Sequence, residues 1–196
     1  MRIAFLAAAS ALAFAAAPAV AAPAAPAAPA AAVVRQDVTD AELSQYAAAE
    51  EGVRAVQAQV SGDITAEQQA AMVAAIEASG LTLERFNAIS QAVQAGDEVL
   101  AARLAVARAP ESPAGSVGAT ASDAELGQFA AAMAAVRPIA AQLNGAAPTD
   151  EQQAAMAEAI TSSGLELERF NAISSALSGD ERLQARVALA EMRQAG

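Results

Sequence analysis

The segment Ser79-Gly-Leu-Thr-Leu-Glu-Arg-Phe-Asn-Ala-Ile-Ser90 returns later in the chain as Ser163-Gly-Leu-Glu-Leu-Glu-Arg-Phe-Asn-Ala-Ile-Ser174, with only Thr82 and Glu166 differing. The match widens in both directions. Asp40-Ala-Glu-Leu-Ser-Gln-Tyr46 answers Asp123-Ala-Glu-Leu-Gly-Gln-Phe129, and Glu67-Gln-Gln-Ala-Ala-Met72 recurs as Glu151-Gln-Gln-Ala-Ala-Met156. Gly96-Asp-Glu-Val-Leu100 then corresponds to Gly179-Asp-Glu-Arg-Leu183. The alignment slips by one residue near Ile64 and Ala147 and recovers near Ala95, positions that suit loops. The chain therefore reads as two tandem copies of one small module.

Each copy is punctuated as helix. Thr39-x-x-Glu42, Thr65-x-x-Gln68, Ser122-x-x-Glu125 and Thr149-x-x-Gln152 have the form of capping boxes. Gly80 and Gly164 follow alanine-rich stretches and suit the left-handed position past a helix end. Gly96-Asp97 and Gly179-Asp180 read as a helix stop followed by an N-cap. Leu43, Tyr46, Val53, Val56 and Val60 keep helical spacing, as do Leu83, Phe86, Ile89 and Val93, and alternating β-branched runs are missing. The expected fold is all-α, with two small modules over 36–108 and 122–194 of about four helices each. In the first module the helices fall near 40–60, 66–79, 83–95 and 97–108. Pro138 predicts a kink or a break in the second module's first helix. Outside the N-terminal segment the aromatics are Tyr46, Phe86, Phe129 and Phe170, and each module is expected to pack its two together. Alanine favours helix but contributes little burial energy, so the modules need either each other or a partner to cover a face.

The chain opens as a signal peptide over 1–21: Met1-Arg2 is positive, Ile3 to Phe14 is apolar, and Ala19-Val20-Ala21 fits a small-x-small cleavage site. An Ala/Pro linker over 22–35 and a second linker over 109–121 complete the expected organisation. This places the protein in the periplasm or outside a bacterial cell, with no membrane insertion after cleavage. Cysteine is absent, so neither disulfides nor a lipidated cysteine is available. The net charge of −11 opposes binding to nucleic acid.

The missing residue types also restrict chemistry. Cysteine, histidine and lysine are all absent from the sequence. Thiol nucleophiles, His-assisted triads, Cys/His metal cages and Schiff bases are thereby excluded, and no nucleotide fingerprint implies a cofactor. Carboxylate chemistry remains. Asp97-Glu98 and Asp180-Glu181 read either as cation ligands or as N-cap and first-turn acids. Glu84, Arg85 and Asn87, with Glu168, Arg169 and Asn171, read either as a polar recognition patch or as exposed charge at a helix start. Arg54 has Glu50 one turn before it, an ordinary helix pair, but Arg137 has Met133 there. Their shared role is either a tertiary bond to an acid on the third or fourth helix or the binding of a ligand, and Arg103 and Arg186 carry the same two readings.

The repeated residues also resemble those of a bacterial family catalogued as domain of unknown function 4168. The resemblance rests on Asp40 to Ala47, on Ala75-Ile76 through Gly80-Leu-Thr-Leu-Glu-Arg-Phe-Asn-Ala-Ile89, and on Asp97 to Leu100, with the second copy matching apart from Glu166. It departs at Glu98 and Glu181, where the family often has proline, and in carrying two copies. The resemblance implies an exported helical protein and brings no catalytic or binding residues with it. The expectation is thus a non-enzymatic envelope component, structural or stress-related, acting on an unknown protein partner or by self-association. The alternative is a carboxylate-based divalent-cation binder.

Overall fold

The computed structural model describes residues 38–60, 62–143 and 146–195. The signal peptide and Ala/Pro linker expected over 1–35 lie outside the described residues. The fold is all-helical, with no strand among the described residues. In chain order the helices are α1 (Asp40–Gln57), α2 (Ala66–Ala78), α3 (Leu83–Gln94), α4 (Glu98–Arg108), α5 (Val117–Thr120), α6 (Asp123–Ala141), α7 (Asp150–Ser162), α8 (Leu167–Ala176) and α9 (Glu181–Ala195).

Local chemistry sets most of the boundaries. All four capping boxes form at the starts of α1, α2, α6 and α7. Thr82 caps α3 through the Arg85 N–H, whereas Glu166 at the start of α8 makes no side-chain capping bond. Glu166→Thr should therefore stabilise the protein by about 1 kcal/mol, read as a higher melting midpoint, and an unchanged midpoint would count against this cap assignment. Gly80 and Gly164 hold φ of 92° and 86°. A Cβ on either would approach the side-chain nitrogen of Gln45 or Gln128 to 2.8 Å, a contact the flexible amide can relieve by moving, so it is the left-handed conformation that calls for glycine. α6 runs through Pro138 to Ala141, so of the kink or break expected there, a break does not occur. Pro138 lies in the last turn, where little helix remains to be disturbed, and Ala134 one turn before it is exposed.

Each half buries its own core. Leu43, Tyr46, Ile76, Ile89, Leu100 and Leu104 cluster in the first, and Leu126, Phe129, Ile160, Ile173, Leu183 and Val187 in the second. The aromatic pairs form as expected, with ring centroids 4.8 Å apart for Tyr46–Phe86 and 4.9 Å for Phe129–Phe170. In each half the first helix packs against the second and the fourth, and the two halves meet where α4 lies against α9. Buried Ala102 and Leu189 belong to neither core and sit on these two helices. The 109–121 segment, expected as a spacer, contains α5 and joins the second core through Ala121 and partly buried Val117. Val117 and Ala121 are the apolar positions that allow it to dock.

Candidate interaction cleft

Four of the charged positions that recur in both halves act as internal clamps, namely Asp40, Glu42, Arg85 and Arg103 with their counterparts Asp123, Glu125, Arg169 and Arg186. The Arg85 Nε–H donates to Glu42 Oε1 at 2.7 Å and the Arg169 Nε–H to Glu125 Oε1 at 2.8 Å, tying α3 to α1 and α8 to α6. Glu84, Asn87, Glu168 and Asn171 remain exposed, so each arginine of the expected patch turns away from its neighbours toward the first helix of its half. Arg103 Nη2 donates to the Val38 carbonyl at 2.8 Å and to Asp40 Oδ1 at 2.7 Å. Arg186 repeats this with the Ala121 carbonyl at 2.8 Å and Asp123 Oδ1 at 2.6 Å, and adds the Gly118 carbonyl at 3.0 Å.

The clamps tune the glutamates. Glu42 falls from 4.5 to about 2 because it accepts from the Arg85 guanidinium and the Thr39 backbone N–H. Glu125 falls equally, through the Ser122 backbone N–H and Arg169. A folded-state value below the unfolded one contributes stability above the unfolded pKa, and that stability is lost as pH falls through the folded pKa. Stability should therefore decline between pH 4.5 and about 2. Glu42→Gln/Glu125→Gln should flatten this decline, at a cost near neutral pH of about 1 kcal/mol per site, since both pairs are partly solvated. Denaturant unfolding at several pH values would measure it, and an unaltered pH slope in the double variant would refute the clamp.

The link between first and fourth helices reverses polarity between the halves. Glu50, expected to pair with Arg54 on its own helix, instead accepts from Arg108 of α4, with Nη2–Oε1 at 2.7 Å and Nε–Oε2 at 2.9 Å. In the second half Arg137 reaches Glu191 of α9 at 3.3 Å, a bond to the fourth helix as one of its two readings anticipated. Arg108 and Glu191 occupy matching positions in the repeat, so acid and base have exchanged helices. Among the described residues Arg54 has no ion-pair partner, and Glu50 is taken by Arg108 of α4.

Asp97 and Asp180 both act as N-caps, accepting from the Leu100 and Leu183 N–H groups at 2.9 Å. Asp180 is buried, and its Oδ1 also accepts from Ser112 Oγ at 2.9 Å, which fastens the 109–121 segment to α9. Among the described residues its Oδ2 has no hydrogen-bond partner, and it lies against Gly118, where a Cβ would come within 1.9 Å of it. Among the described residues no group of three or more acidic side chains is placed to hold a metal ion, and no helix is long and apolar enough to cross a membrane.

What the repeat could not reveal is the space between the halves. Beside the α4–α9 contact lies a cleft of about 350 Å³, bordered by the starts of α1 and α6 and by the 109–121 segment. Arg103, Arg182, Arg186 and Arg193 line it. It shares Ser44 and Ala107 with a groove along α1 and α4 that carries Arg54 and Arg108 over a floor including Ala47 and Ala48. Only Arg85, Arg137 and Arg169 among the described arginines lie elsewhere. Arg182 pairs with Glu111 at 3.0 Å, while Arg193 has no ion-pair partner among the described residues. Arg182 and Arg193 went unnoticed in the sequence because they do not recur: Val99 and Pro110 stand at the matching positions. Comparison with known protein families, curated proteins and solved structures finds no match to this chain.

Proposed function

We propose that this protein is an exported, non-enzymatic helical protein, arisen by tandem duplication of one module, that works through protein contacts made at the cleft between its halves. The observation that carries this reading is the cleft itself. Both halves build it, and it gathers Arg182 and Arg193, which the recurring clamps do not use. A site on a seam needs both copies present, which gives the duplication a physical purpose. The sequence resemblance implies an exported helical protein, and a structural or stress-related role in the bacterial envelope is part of this proposal.

A photo-crosslinking residue at exposed Ala119, on the cleft, compared with one at exposed Glu158 on α7, tests this in the exporting cell. The expected result is a discrete crosslinked protein species from Ala119 and none from Glu158. Identical patterns from the two positions, or no adduct from either, would overturn the assignment.

A further inference from the structure

We infer that the cleft and its continuation along α1 and α4 take an extended acidic peptide segment of a partner protein, an inference that rests on the contact reading above. Charge distribution is the first argument. The chain carries 22 acidic against 11 basic residues, yet Arg54, Arg103, Arg108, Arg182, Arg186 and Arg193 all border this cleft or the groove that shares Ser44 and Ala107 with it, a depression in two adjoining parts. The acids that share it are Asp40, Glu50, Glu51, Glu111 and Asp123, so the depression is close to neutral on a strongly negative protein. An acidic chain meets the least repulsion and the most guanidinium donors here.

The two arginines without an ion-pair partner among the described residues, Arg54 and Arg193, belong to the two separate parts of the depression, joined through Ser44 and Ala107. A ligand that satisfies both must be extended. Small residues between them (Ser44, Ala47, Ala48 and Ala107) allow a backbone to lie close to the helices. The Arg182 partner, Glu111, has a side chain 86 % exposed, so a ligand carboxylate can replace it at little cost. Arg103 and Arg186 stay committed to backbone carbonyls at 2.8 Å and keep the walls in place, whereas Arg182 reaches the Ala109 carbonyl only at 3.4 Å, so it and Arg193 can turn to the ligand. Guanidinium groups match planar carboxylates in a two-pronged geometry, which favours Asp and Glu side chains as the recognised groups.

The test uses the full chain and a fluorescein-labelled peptide rich in Asp and Glu, read by fluorescence anisotropy at low salt. Its Asn/Gln counterpart and inorganic pyrophosphate serve as the competing probes. The acidic peptide should bind saturably, with affinity falling as salt rises, and the amide peptide should bind at least about tenfold more weakly. Arg182→Gln/Arg193→Gln should weaken the acidic peptide by at least about tenfold, and Arg54→Gln should weaken it independently, with thermal melts near those of the parent chain. Equal binding of both peptides, or no saturable binding of the acidic one, overturns the inference. Full displacement by pyrophosphate overturns it too, since it would mark a small-oxyanion site. If the acidic peptide fails while Ala119 still crosslinks, the contact reading stands and only the chemistry of the partner is wrong; if both fail, both readings fall.

Discussion

Phe129→Ala should destabilise the protein by about 3–5 kcal/mol, the largest single effect available in the second half. Phe129 is 1 % exposed and is the largest of the fully buried side chains. From α6 it packs tilted against Phe170 and shares a core with Leu126, Ile160, Ile173 and Leu183, so truncation removes contacts from several helices at once. These neighbours are themselves held in the core and cannot fill the void without giving up their own contacts, and this keeps the cavity cost high. The first half gives the natural contrast. Phe86 remains partly exposed, and its partner Tyr46 keeps a second anchor through a 2.8 Å hydrogen bond between its hydroxyl and Ser90 Oγ. Phe86→Ala should therefore cost less than Phe129→Ala. Calorimetric or denaturant unfolding of both variants measures the order, and a Phe86→Ala loss equal to or larger than that of Phe129→Ala would contradict the described cores.

The second large effect is expected at a residue with no side chain. Gly118→Ala would place a Cβ 1.9 Å from Asp180 Oδ2, 2.8 Å from its Cγ and 2.7 Å from Ser112 Oγ. Asp180 cannot retreat freely, because its Oδ1 caps α9 through Leu183 and receives the Ser112 hydroxyl. Either the cap breaks or the 109–121 segment lifts away, for a loss of about 3 kcal/mol. Adding Asp180→Ser should recover much of this loss, since serine is shorter yet still caps a helix. A melting midpoint unchanged by Gly118→Ala, or a double variant weaker than the single one, would show that this contact does not hold the segment in place. Because Gly118 also borders the cleft, the same variant should loosen one of its walls.

The helices were legible because their signals are local. Thr39, Thr65, Ser122 and Thr149 each cap a helix through a residue three positions on, a relation the sequence states directly. The aromatic pairing was also legible, since each half has only two aromatics outside the N-terminal segment and a small core must bring them together. The cleft was not. Recurrence drew attention to Arg85, Arg103, Arg169 and Arg186, and recurrence there reflects the shared fold: each ties a later helix to the start of the first. Arg182, Arg193 and Arg108, which line the depression, break the repeat and so carried no signal.

By itself, then, the sequence determined the all-helical class, most of the helix starts and the aromatic pair of each core, because capping, helix propensity and apolar spacing act over one or two turns. Val56 and Val60 of the expected apolar stripe, by contrast, fall outside the first core. Tertiary structure alone decided the rest. Glu50 passed over Arg54 for Arg108 on a helix far along the chain. Gly118 and Ser112 were drawn onto Asp180, turning an expected spacer into part of the second half. The packing of α4 on α9 then placed arginines from distant positions around one space. These outcomes depend on which faces meet after the helices form, and a side chain's choice among charged partners is settled by distance in the folded chain, which spacing along the sequence does not encode.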